Sequence, residues 1–209
     1  MVIIVITSVQ LYSQTKKGLG FDIAMYDYNE TGLHYSIFYN WDILKNLVFS
    51  TGISYFTNEV NAGWFSNDNT SYNLGEKNRR VNGAIASTVV VPVFKKAGLL
   101  VTCNVLFDIV PFNYISIDKG LKVTEGHTIE PIGKYVFTQF NPGAFVDIGL
   151  YYDMVKNDAR LRLMVSMGYG IYDPVREYRR TTIDNQKLGD YISENKSATR
   201  ISFKIIGYW

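Results

Sequence analysis

The chain has little of what marks most common protein classes. Cys103 is its single cysteine, so the fold must hold without an internal disulfide and no companion thiol completes a metal site. His127 has no second histidine or cysteine near it, which argues against a metal centre. No run approaches the roughly 20 apolar residues that a membrane helix needs. Charged residues are 19% of the chain, below the usual quarter. The net charge of +2 comes with no Lys/Arg stripe on one face, which removes nucleic acid as a partner. Gly168-Tyr169-Gly170 follows no strand-to-helix junction and is not a nucleotide loop. No motif calls for a cofactor or a metal.

Aromatic residues are abundant instead. They make up 15% of the chain, with 16 Tyr and 12 Phe. Mean hydropathy sits near zero, which fits neither a helical membrane protein nor a disordered chain.

Apolar and polar residues alternate persistently, the period of a strand with two unlike faces. In Ala198–Trp209 the apolar Ile201, Phe203 and Ile205 oppose Arg200, Ser202 and Lys204. Leu19, Phe21, Ile23 and Met25 oppose Asp22, Ala24 and Tyr26. Leu33, Tyr35, Ile37, Tyr39 and Trp41 oppose His34, Ser36, Phe38, Asn40 and Asp42. The same period runs through segments near residues 47–55, 81–94, 99–109, 139–153 and 161–171, which makes eight strands. Short turns near 45, 96 and 157 alternate with long polar connections, about 58–80, 113–134 and 173–197. Short turns at one end and long loops at the other are the layout of bacterial outer-membrane barrels. The expectation is an all-β fold, an eight-stranded antiparallel up-and-down transmembrane β-barrel.

The contents of the faces separate this reading from a soluble sandwich. A sandwich puts charge outside and apolar residues inside. Here one face has almost no charge, while the other is rich in Gly, Ser, Asn and lone charges. Lipid outside and a small polar interior explain both, and closure removes the unpaired edge that lipid would not tolerate. A soluble lipocalin-like barrel would have the two faces inverted. Cys103 falls on the outward face as a small apolar residue. Aromatics near strand ends, such as Tyr39, Trp41, Tyr152 and Trp209, suit the girdles at the two membrane surfaces.

Residues 1–13 form an apolar stretch ending in Ser13 before Gln14, similar to the end of a secretory signal peptide but without a basic start. They are read as an export segment whose start is either truncated or set too late, rather than as a first strand, leaving 14–209 as the barrel domain.

With the Ser13-Gln14 junction, Val91-Pro92-Val93-Phe94-Lys95-Lys96 and Asn141–Asp153 (N-P-G-A-F-V-D-I-G-L-Y-Y-D) in view, the chain resembles the small outer-membrane β-barrel proteins of Gram-negative bacteria, particularly the porin-like Bacteroidetes type. The resemblance implies a bacterial outer-membrane location and a structural or surface-interaction role with at most a narrow pore. It implies a monomer among outer-membrane lipids and lipopolysaccharide. It also implies a terminal strand, with Phe203, Ile205 and Trp209, that is read by the barrel-assembly machinery.

The candidate site is the lumen. Asp22, His34, Asp42, Asp108, Asp147, Arg162, Arg200 and Lys204 all fall on inward faces. An eight-stranded interior is just wide enough to be filled by side chains, so these charges are expected to form a salt-bridged plug in which each needs a partner. His34 and Ser36 share a face, as a base and a hydroxyl nucleophile would. Lipid A deacylase barrels are similar in using a His-x-Ser pair, but no flanking motif agrees and both residues turn inward, so no catalytic role is expected. Lys77, Arg79 and Arg80, with Arg176, Arg179 and Arg180, read as loop cations able to touch lipopolysaccharide phosphates or simply to be solvated. Trp64 and Phe65 are aromatic residues within a polar loop.

Overall fold

The computed structural model describes residues 16–28, 30–67, 70–109, 114–123, 126–136, 142–156, 159–173, 176–180, 182–183, 185–190 and 197–209. The export segment at 1–13 lies outside them. Eight long strands dominate: β1 (Lys17–Tyr28), β2 (Glu30–Leu44), β3 (Leu47–Asn67), β4 (Thr70–Pro92), β5 (Ala97–Asp108), β8 (Pro142–Lys156), β9 (Ala159–Ile171) and β12 (Ser197–Tyr208). A hairpin of β6 (Tyr114–Val123) and β7 (Gly126–Val136) sits between β5 and β8 in the chain. Helix α1 (Arg176–Arg180), a two-stranded β10 (Thr182–Ile183) and β11 (Gln186–Lys187), and a 3-10 turn at Leu188–Asp190 lie between β9 and β12.

The eight strands close on themselves. Each of the first five pairs with its sequence neighbours, β5 pairs with β8, and β8 with β9. β12 pairs with β9 on one side and with β1 on the other, from Gly18↔Tyr208 to Asp27↔Thr199. Every pairing in the ring is antiparallel, so no strand of the ring is left as an edge. The Trp209 N–H donates to the Lys17 carbonyl at 3.1 Å and continues the seam past the last paired strand residue.

Strand parity assigns the faces. On β12, Ile201 and Phe203 are exposed while Arg200, Ser202 and Lys204 are buried. Ile148 on β8 and Met167 on β9 are paired neighbours, 65% and 63% exposed. With Leu19, Ile37, Ile53, Val89 and Val101 on the other strands, they make an apolar belt around the outside. Such a belt would be unstable in water at this extent, and its presence over a polar interior makes this a membrane-spanning barrel. Cys103 lies on that belt, exposed.

Two of the expected polar connections are strands. Beyond Thr57, where β2 stops pairing with β3, the chain from 58 stays paired with β4 as far as Asn67↔Thr70, with one register shift between Ala62 and Phe65. β3 and β4 are therefore 21 and 23 residues long, well beyond the lengths read from the alternation. The 113–134 connection is the β6–β7 hairpin, whose first strand pairs with β4 at Thr70↔Leu121 and Asn73↔Asp118. Asn, Ser and Gly signalled a loop because they leave the apolar pattern. They do not stop the backbone from pairing with a neighbouring strand, since every backbone N–H and C=O seeks a partner whatever its side chain. The result is a sheet of β3, β4, β6 and β7 that continues from the long-loop end of the barrel.

Candidate functional site

The structure places Asp22, His34, Asp108, Asp147, Arg162, Arg200 and Lys204 inside the barrel, each 7% exposed or less, and Asp42 half-buried. At the centre Arg200 reaches Asp147 with two parallel hydrogen bonds, Nε to Oδ1 at 2.6 Å and Nη2 to Oδ2. This is the fork geometry that makes arginine–carboxylate pairs strong. The two residues are not on adjacent strands. Arg200 pairs with Gly168 and Gly168 pairs with Asp147, so the ion pair spans β9 at a residue with no side chain. A methyl at Gly168 would collide with the Asp147 carboxylate.

Gly168→Ala is therefore expected to lower stability by about 1–3 kcal/mol, as overpacking does. A urea titration of the folded protein would read this as a fall in midpoint. Gly207, where an added Cβ meets nothing within 4 Å, is the control, and Gly207→Ala should leave the midpoint in place.

Hydrogen bonds lead from Arg200 toward the long-loop end. Its Nη1 donates to the Tyr26 hydroxyl at 3.0 Å, and that hydroxyl meets His34 Nδ1 at 2.8 Å. His34 Nε2 meets Asn82 Nδ2 at 3.2 Å, and the same amide donates to the Tyr172 hydroxyl at 3.2 Å. With the amide oriented this way, Nε2 accepts and the ring proton sits on Nδ1. Neither ring nitrogen is left to take a proton from Ser36, although both side chains are buried in the interior. Around His34 the rings of Tyr26 and Phe56 stand edge-on at 4.9 and 5.0 Å, and Tyr26 meets Phe145 at 5.1 Å. Offset and edge-on contacts of this kind add to area burial and close the space above the ion pair.

Below it, Asp22 accepts from Ser202 at 2.5 Å and lies opposite Lys204 on the next strand. Lys204 Nζ donates to Ser50 at 3.4 Å and sits 4.3 Å over the Phe38 ring. Ser50 in turn donates to Asn40 at 2.7 Å. The space left among Asp22, Thr102, Asn104, Asp147, Arg200 and Lys204 is about 20 Å³, room for a single water. The short-turn end is sealed by Val90, Leu100, Tyr151, Met164, Ile206 and Tyr208, all buried and in mutual contact. At its rim Arg162 grips Asp153 with two bonds of 2.7 Å, and Arg160 pairs with Asp42. The guanidinium of Arg160 lies 3.9 Å over the Tyr208 ring.

Two of the loop cations are not surface groups. Arg80 is 2% exposed and pairs with Asp108 at 2.6 Å, inside the long-loop end of the barrel. Arg179 is buried against Asp173. Neither can reach a lipid phosphate, because a guanidinium already desolvated beside its own carboxylate would have to give that partner up. Arg79 and Arg180 remain exposed and Arg176 half-buried. The parity signal for Arg80 was present, since it shares its face with Asn82, Ala84 and Ala86. The run Lys77, Arg79, Arg80 hid it. Tyr26, Asn82 and Tyr172, which join the ends of the network, carried no charge to single them out. His127 falls on β7, Phe203 and Trp209 point outward, and Ile205 is half-exposed. The side chains of Trp64 and Phe65 lie outside the described residues.

The fold has a counterpart among solved structures. The chain is similar to a major outer membrane protein from Thermus thermophilus, with a TM-score of 0.54 over 92% of this chain and 99% of that one, at 9% identity. The fold is that of a transmembrane β-barrel. Two other barrels align at lower scores. Neisserial surface protein A gives 0.46 at 9% identity, over 93% of this chain and 96% of that one. Ail, the attachment invasion locus protein of Yersinia pestis, solved with the heparin analogue sucrose octasulfate, gives 0.42 at 7% identity, also over 93% and 96%. No family profile matches the barrel sequence, and no curated protein matches it. What the barrel can do chemically follows from its own interior, where buried side chains leave a gap of about 20 Å³ beside the central ion pair.

Proposed function

We propose that this chain is a bacterial outer-membrane protein that acts as a sealed structural scaffold for surface interaction, not as a pore or an enzyme. The observation that carries the reading is the filled interior. An aromatic layer, an ion-paired layer and an apolar seal lie in succession between the long loops and the short turns. A solute path would have to break the Arg200–Asp147 pair, and breaking a buried pair is costly. The outer membrane is the place for a closed antiparallel barrel with an apolar belt, short turns and long loops. The sheet of β3, β4, β6 and β7 is the surface it offers beyond the membrane, and Pro131 within β7 blunts an edge that would otherwise invite pairing. The Bacteroidetes-type assignment rests on the sequence motifs alone. In this reading the protein is a monomer, lipopolysaccharide surrounds its loops, and the outward Phe203 with Trp209 serves the assembly machinery.

The test combines location with conductance. After cell fractionation the protein should sit in the outer membrane and change gel mobility on boiling. Reconstituted into planar bilayers, it should give no steady unit conductance. Uniform ohmic steps would overturn the sealed reading, and a freely soluble periplasmic protein would overturn the location.

A further inference from the structure

We infer a phospholipid site on the outer wall at the short-turn end, where an apolar groove takes an acyl chain and Lys95 and Lys96 hold the anionic phosphate. The groove has a volume of about 500 Å³ and crosses four strands, lined by Leu99, Leu150, Leu163 and Phe203 and walled by Val93 and Phe94. The wall is built, not incidental. The N–H groups of Val93 and Phe94 both donate to the Ala97 carbonyl at 3.1 and 2.8 Å, which folds the turn. Asp153 N–H donates to the Lys96 carbonyl at 2.7 Å and ties the turn to β8. Held this way, Phe94 is 74% exposed beside a slot of leucines. A turn facing only water would gain nothing from that ring, whereas a hydrocarbon chain lying between ring and wall is packed on both sides.

The head-group end follows from charge. Lys95 and Lys96 belong to the same turn, are exposed, and make no ion pair among the described residues. Lys156, at the end of β8 on the same rim, is also exposed. The two carboxylates described nearby are committed elsewhere, Asp153 to Arg162 and Asp42 to Arg160. Among the described side chains the rim is thus a cationic edge beside a hydrocarbon slot, the complement of an anionic glycerophospholipid. A second copy of the chain fits less well, because parallel copies would bring the Lys95–Lys96 pairs onto one rim with no free carboxylate described there. In an outer-membrane barrel the short turns face the periplasm, so the lipid is one of the inner leaflet.

The site can be tested by native mass spectrometry of the folded protein in detergent, offered phosphatidylglycerol and phosphatidylcholine with identical acyl chains. The folded protein should retain one phosphatidylglycerol in preference to phosphatidylcholine. The double variant Lys95→Gln with Lys96→Gln should lose that preference by on the order of tenfold, while its boiling-dependent gel mobility stays unchanged. Leu150→Trp, which fills the slot at a lipid-facing position, should weaken both lipids. Equal retention of the two lipids by the unaltered protein would overturn the site, and so would an unchanged preference in the double-lysine variant. A dimer that Leu150→Trp dissolves would also overturn it, since a second copy would then occupy the groove.

Discussion

Replacing Arg200 with alanine is expected to cost about 3–5 kcal/mol of folding stability, the range for stripping one partner from a buried pair. Asp147 is 1% exposed and receives both of its strong hydrogen bonds from that guanidinium. Without it the carboxylate loses both bonds inside an interior whose gap beside the intact pair holds only about one water. The Tyr26 hydroxyl loses a donor as well, so the hydrogen bonds running through His34 to Asn82 lose their anchor. Asp147→Asn placed in the Arg200→Ala background should recover a large share of the loss, because an unpaired amide costs less to bury than an unpaired carboxylate. The coupling is read from a double-mutant cycle, using urea midpoints of protein folded into phosphatidylcholine vesicles. If Arg200→Ala alone leaves the midpoint in place, the interior must be wet enough to solvate Asp147, and the sealed scaffold fails with it.

Ile148→Arg is expected to cost about 2–4 kcal/mol in a bilayer, the penalty for a cation at the mid-depth of a barrel's lipid face. Ile148 pairs with Met167 on one side and Val101 on the other, well inside its strand, and all three are exposed. The sign of the test is what gives it force. On a soluble barrel, an arginine at so exposed a position would change stability by roughly half a kcal/mol at most. Leu161, near the short-turn rim on β9, supplies the depth control, and Leu161→Arg should cost about 0–1 kcal/mol. Equal and negligible costs at both positions in vesicles would mean that the apolar belt does not face lipid.

Strand parity was legible because lipid imposes a stricter rule than water does. A position such as Ile37 or Val101 must be apolar on every strand of the ring, so a period of two persists without the exceptions that solvent tolerates. The inward assignments from Asp22 to Lys204 followed from the same parity. Partners did not. Nothing in the spacing pairs Arg200 with Asp147, since the two meet only because β12, β9 and β8 lie side by side in one register and Gly168 stands between them. Arg80 was misplaced for a related reason. Past Thr57 the sequence of β3 and β4 is interrupted by Asn, Ser and Gly, and the alternation that reveals a strand disappears although the backbone ladder continues. Composition reports the surrounding medium, and the ladder is indifferent to it.

The seam between β1 and β12 also sets the order in which the molecule can form. Most ring pairings join strands adjacent in the chain, through hairpins as short as Lys45–Asn46. The seam joins groups such as Ser202 and Asp22 that are 180 residues apart. Loop-closure entropy rises with the logarithm of separation, so this contact begins roughly 2 kcal/mol behind a hairpin of a dozen residues. Hairpins can therefore assemble as an open, twisted sheet while β1 waits with its donors and acceptors unmet. In lipid such a waiting edge is intolerable. The closing strand thus works as a late, all-or-none latch: until Arg200 and Lys204 swing in beside Tyr26 and Asp22, the central ion pair has no link to the Tyr26 hydroxyl and the interior lacks its final wall.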